Sequence, residues 1–210
     1  NEVDADTPGS DTAELIELFD GGVGNTVLDG LALVLFNGSD VLSYQAVDLD
    51  GYKTDAAGYF VIGNATTSPD LLLGNGSLQN GPDAAAIYVA DASQFPNGSL
   101  IKIAGLVDAL VYGDPATVPV ALLNLLADGQ KAVNEGGRGA ADLHSMQRCP
   151  NGSGGARITE SYAINSPMPG EPNSCEVDEP PRVTGTIPAG GTVDVSPYSS
   201  PEGSFSEPVQ

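Results

Sequence analysis

The chain has 210 residues, 28 of them acidic against seven basic, and a formal net charge of −21 at pH 7. Phosphate backbones are repelled by such a chain and offered few counterion-releasing contacts, so the composition argues against nucleic-acid binding and, for the same reason, against docking on anionic lipid. With 40% apolar residues the chain is long enough to bury a core, while 27 glycines and 16 prolines favour short strands and tight turns over helices.

The first strong pattern covers residues 13–19. Glu14, Ile16 and Leu18 share one face there, and Leu15, Glu17 and Phe19 the other, the two-residue period of a strand. Gly21, Gly22 and Gly24 break it and Asp29-Gly30 supplies a turn. Residues 31–36, Leu-Ala-Leu-Val-Leu-Phe, form a continuous apolar run suited to a strand covered on both faces. Asn37-Gly38 predicts a hairpin into a strand over 41–47, with Tyr44, Ala46 and Asp48 on one side. Further strands are expected at 59–62, 84–90 and 106–112, with shorter apolar pieces at 71–73 and 100–103.

One helix is predicted, over 118–127. Pro119 suits a first turn, Leu122, Leu125 and Leu126 fall on one face, and Gly129 follows the end. Residues 131–157 are Gly-rich and hold Lys131, Arg138, Arg148 and Arg157, read as loop cations that balance an acidic sandwich or as a contact patch for an acidic surface. After residue 175 the composition shifts. Glu176, Asp178, Glu179 and Pro180-Pro181 read as a linker, followed by strand-like pieces at 182–187 and 192–195 and a Ser/Pro/Glu-rich end. The chain therefore divides into a domain over 1–175 and an acidic Pro/Ser/Gly-rich tail over 176–210.

Taken in order, several of these pieces carry a resemblance. They are Asn1-Glu2-Val3, Glu14-Leu15-Ile16-Glu17-Leu18, Leu28-Asp29-Gly30-Leu31, Ala57-Gly58-Tyr59-Phe60-Val61-Ile62-Gly63, Ser77-Leu78-Gln79-Asn80-Gly81 with Ala86-Ile87-Tyr88, and Leu106-Val107-Asp108-Ala109-Leu110-Val111-Tyr112-Gly113. The series ends near Gln147-Arg148-Cys149-Pro150 and Pro169-Gly170-Glu171-Pro172-Asn173, and it resembles the lamin-tail domain, an immunoglobulin-like β-sandwich. The resemblance implies an all-β sandwich used for binding or assembly, often attached to secreted bacterial nucleases or phosphatases, with no chemistry of its own. The first strand begins at Asn1 without the apolar residues such domains commonly carry ahead of it, an edge that a borrowed strand would complete.

The candidate sites are few. Asp4, Asp6, Asp11 and Glu14 lie around a Thr-Pro-Gly turn, hard oxygen donors at a spacing that suits structural Ca²⁺, with a solvated acidic edge as the alternative. Asp48, Asp50 and Asp55 form a weaker group that reads better as a turn. Cys149 and Cys175 flank a stretch dense in Gly, Ser and Pro. Paired as a disulfide they imply an oxidising compartment, and the alternative is two unrelated thiols. His144 has no nucleophile signature near it and reads as a loop residue. Of the five Asn-x-Ser/Thr sequons, at Asn37, Asn64, Asn75, Asn97 and Asn151, four are Asn-Gly-Ser, which turn propensity alone explains.

The expectation is a secreted, non-catalytic, extracellular structural module, without membrane insertion, that self-associates as a homo-oligomer or binds a cell-surface partner. Extension into a filament by strand exchange with the tail is part of that reading. The alternative is an accessory binding domain of a secreted nuclease or phosphatase.

Overall fold

The computed structural model describes residues 1–138, 143–175, 183–187 and 202–205. It divides into two compact units, Asn1–Cys175 and Glu176–Gln210. In the first, four antiparallel strands make one sheet in the order β4 (Leu42–Asp48), β3 (Leu31–Asn37), β7 (Asp83–Val89) and β8 (Leu106–Tyr112). The other sheet runs β10 (Tyr162–Asn165), β9 (Ser145–Arg148), β1 (Glu2–Asp4), β2 (Leu15–Phe19), β5 (Tyr59–Gly63) and β6 (Leu71–Leu72), antiparallel except for the last pair. In the second unit β11 (Val183–Ile187) and β12 (Glu202–Phe205) pair antiparallel as a two-stranded sheet. The piece expected at 192–195 lies outside the described residues.

The two larger sheets share one core. Val3, Ile16, Phe60, Ile62 and Met146 from the six-stranded sheet pack with Leu33, Leu35, Ala85, Leu110 and Tyr112 from the four-stranded one. A second cluster lies behind the four-stranded sheet, where Val34, Phe36, Ala86, Tyr88 and Val111 meet Val118, Leu122, Leu125 and Leu126. The even and odd residues of β3 thus enter different clusters, which explains its unbroken apolar run: both faces are buried. Each large apolar side chain removed from water here contributes about 1.5–3 kcal/mol.

Two expectations need correction. The predicted helix over 118–127 is reduced to α1 (Val120–Leu123), followed by tight turns. The carbonyls of Asn124, Leu125 and Leu126 accept from the Arg157 guanidinium at 2.9, 2.6 and 2.7 Å, so the chain leaves the helix with those acceptors satisfied by a side chain. The leucine spacing still delivers Leu122, Leu125 and Leu126 to the core. In β4, Tyr44 and Ala46 do not share a side. A bulge opposite Leu35 and Phe36 inserts one residue, so Tyr44 packs with Val47 in the inner core and Ala46 in the outer cluster.

The Asn37-Gly38 turn fits for a steric reason. A Cβ on Gly38 would overlap the Pro82 carbonyl, with its oxygen only 1.6 Å away. The peptide instead lies against that carbonyl, and Gly38 N donates to Asp83 Oδ1 at 2.7 Å.

Candidate functional site

The four acidic residues singled out near the N-terminus have different surroundings. Asp6 Oδ1 and Asp11 Oδ2 both accept from the Asn80 amide, at 3.0 and 3.3 Å, and Asp11 Oδ1 accepts from Thr7 N at 3.1 Å. Glu14 is buried and accepts from Ser77 N at 3.0 Å and Leu78 N at 3.1 Å; burial raises its pKa. Asp4 is 4% exposed, its Oδ1 has no hydrogen-bond partner, and burial with the nearby Glu135 carboxylate pushes its pKa up to about 9. Among the described residues, no three His, Cys, Asp or Glu side chains are arranged as a metal-holding group. The weaker acids serve turns: Asp48 Oδ1 accepts from Asp50 N, Asp50 Oδ1 from Gly30 N, and Asp55 Oδ1 from the amides of Ala57, Gly58 and Tyr59.

Sequence reasoning overlooked a buried polar layer on the face of the six-stranded sheet away from the core. Glu2 and Asp4 alternate with Val3 and Ala5, and Glu17 stands between Ile16 and Leu18, so these carboxylates turn from the apolar interior. Glu2, Glu17, Ser145 and Gln147 are all fully buried. Residues 166–173 cover them as a strap. Met168 N donates to Glu2 Oε1 at 3.0 Å, Gly170 N to Glu17 Oε2 at 2.7 Å, and Gln147 Nε2 to the Ser166 carbonyl at 2.6 Å. The Asn173 amide bonds the Arg148 carbonyl at 2.9 Å, and the Cys149–Cys175 disulfide, with Cα atoms 5.2 Å apart, ties down the end. Burial raises both glutamate pKa values, Glu17 to about 7. The legible signal was the recurrence of acids at alternate positions inside strands otherwise bound for a core.

A second polar cluster lies at the margin of the inner core. Asp83 and Tyr112 are register partners, and Tyr44 approaches both. Asp83 Oδ2 and the two hydroxyls make no hydrogen bond of normal geometry, and burial pushes the Asp83 carboxyl up to about 6.

A cleft of about 380 Å³ has walls that include Leu18, Leu28, Leu31, Ile87 and Val107. Its polar lining is engaged within the fold. Asp20 accepts from Val23 N, Gly24 N and the Thr26 and Thr54 hydroxyls. Arg148 donates to Asp108 at 2.9 and 3.1 Å, to the Ser153 and Gly155 carbonyls at 2.8 and 2.6 Å, and to Tyr162 Oη at 3.2 Å. Two of the four basic residues between 131 and 157 therefore serve the fold, Arg148 here and Arg157 behind α1. Lys131 is exposed, and the Arg138 side chain lies outside the described residues. His144 is half-buried just before β9. Of the sequon asparagines, Asn75 and Asn97 are exposed, whereas Asn64 is buried and holds Glu14 N and the Gly74 carbonyl.

No family model matches this chain, and neither a curated protein nor a solved structure does.

Proposed function

We propose that the chain is a lamin-tail-like, immunoglobulin-type sandwich that works as a secreted, non-catalytic assembly module. The observation that carries this reading is the pairing of an open edge with a candidate strand to fill it. β4 ends its sheet, and beyond the Ser43 contacts with Gly98 and Ser99 the outer side of residues 45–48 pairs with no strand among the described residues. The second unit supplies β11 and β12, a two-stranded sheet of a size that is marginal in water by itself and is stabilised by adding to another sheet. Strand donation from one molecule's tail to a neighbour's β4 edge is a head-to-tail contact, which repeats into a filament when the rotation does not close. The disulfide supports an oxidising, extracellular setting. The non-catalytic part is supported by the cleft, whose Asp20, Arg148, Thr26 and Thr54 groups are committed to internal hydrogen bonds. Removal of residues 182–210 is expected to abolish higher-order assembly; unchanged assembly by the truncated chain would refute strand donation.

The cleft favours a second reading, an accessory domain of a secreted nuclease or phosphatase that binds a partner through this apolar-walled surface. A chain that stays monomeric at all concentrations, with a catalytic domain encoded on the same polypeptide, would favour it.

A further inference from the structure

The buried layer beneath the strap holds more acceptors than donors. Glu2 Oε2, Gln147 Oε1 and Asp4 Oδ1 each lack a hydrogen-bond partner, and their residues are 0%, 0% and 4% exposed. Buried polar atoms are almost always paired, so three orphans of one kind in one place ask for a common partner. They are neighbours. Glu2 and Gln147 are cross-strand partners, and Gln147 Nε2 donates to the other oxygen of the Glu2 carboxyl at 3.2 Å. Asp4 follows on the same face of β1, about 6–7 Å along the strand at its Cα, where the carboxylates acting on it are Glu135 first and Glu2 second. No Lys or Arg side chain pairs with Glu2, Asp4 or Glu17 among the described residues. The missing partner is thus electron-poor, small and able to meet several oxygens at once.

The geometry points to a hard divalent cation of the calcium class bound under the strap by Glu2 Oε2, Asp4 Oδ1 and the amide oxygen Gln147 Oε1. Calcium takes oxygen ligands at about 2.3–2.6 Å, so donors up to about 5 Å apart converge on one ion, and it accepts neutral carbonyls beside carboxylates. The donor set contains no sulfur or imidazole, which disfavours zinc and copper. The Glu2 oxygen facing Ser145, Gln147 and Met168 N is already filled, which turns the free oxygen toward the proposed ion. This set shares only Asp4 with the acids around the Thr-Pro-Gly turn, and it holds whether or not the chain assembles. The alternative partner is a proton: a protonated Glu2 Oε2 donating to Gln147 Oε1 would satisfy two of the three orphans without metal.

Calcium alone is the probe. Purified full-length protein, stripped with chelator and titrated with CaCl₂ in a calorimeter, is expected to bind one ion per chain and to gain roughly 5–10 °C in melting temperature at saturation. Glu2→Gln and Gln147→Leu are expected to weaken binding at least tenfold, and Asp11→Asn to leave it unchanged. Absence of calcium binding by the wild type, with a melting temperature indifferent to chelator, would overturn the proposal and leave the orphans to protons or buried water. Binding that survives Gln147→Leu and disappears in Asp11→Asn would overturn it in favour of the turn acids. The wild-type titration decides the first question even if a variant fails to fold.

Discussion

Arg148 is the residue with the most concentrated structural duty. Its guanidinium spends its donors on the Asp108 carboxylate, two loop carbonyls and the Tyr162 hydroxyl, and it lies over the Tyr162 ring with 5.1 Å to the centroid. Arg148→Ala leaves those acceptors unanswered and is expected to cost about 3 kcal/mol in urea unfolding. Arg148→Lys, with a point charge in place of a planar fork, is expected to recover less than half of that loss. Asp83 makes the opposite kind of prediction. Its carboxyl is pushed from an ordinary 3.8 to about 6, so the folded state holds the proton more tightly than the unfolded one. The associated stability is fully present below pH 3.8 and is lost as pH rises through about 6. Asp83→Asn keeps an acceptor for Gly38 N and removes the charge. The variant is expected to be more stable than wild type at pH 8 and equal to it below pH 4, as read from denaturation midpoints across that range. A constant difference at both ends would contradict the buried-charge explanation.

Elements whose logic is local were legible in the sequence. The run 31–36 forms β3 with both faces covered, because nothing polar interrupts it and the sheet has a core cluster on each side. The 106–112 pattern forms β8 with those bounds. Elements settled by distant partners were not legible. The helix was curtailed by Arg157, more than thirty residues away in sequence, and the face of Tyr44 was reversed by a bulge that depends on register with β3. For the buried acids only the alternation was legible, and it left their burial open: Glu2 and Glu17 look solvent-facing until residues 166–173 close over them. The hairpin turn offers a direct test of local geometry. Gly38→Ala drives a methyl into the Pro82 carbonyl and is expected to cost about 3 kcal/mol or more, whereas Gly30→Ala, where an added Cβ meets nothing but φ is +76°, should cost about 1 kcal/mol. Equal costs at the two glycines would show that the backbone moves to relieve the contact.

At the scale of the whole molecule, composition indicated an all-β chain, and two sheets around a shared core form it. The disulfide is present between the two cysteines that flank the Gly- and Pro-rich stretch, where it fixes the end of the strap. We propose that this strongly acidic sandwich, with its open β4 edge and strand-bearing C-terminal unit, is a subunit that assembles with copies of itself. The calcium proposal and the assembly proposal are separable: the proposed ion site lies on the six-stranded sheet, and the proposed docking edge belongs to the four-stranded one. The most direct measurement is the mass of the full-length protein in solution by light scattering over a hundredfold range of concentration. Growth into large, open-ended species with rising concentration is the expected result. A single monomer mass throughout the range would contradict it.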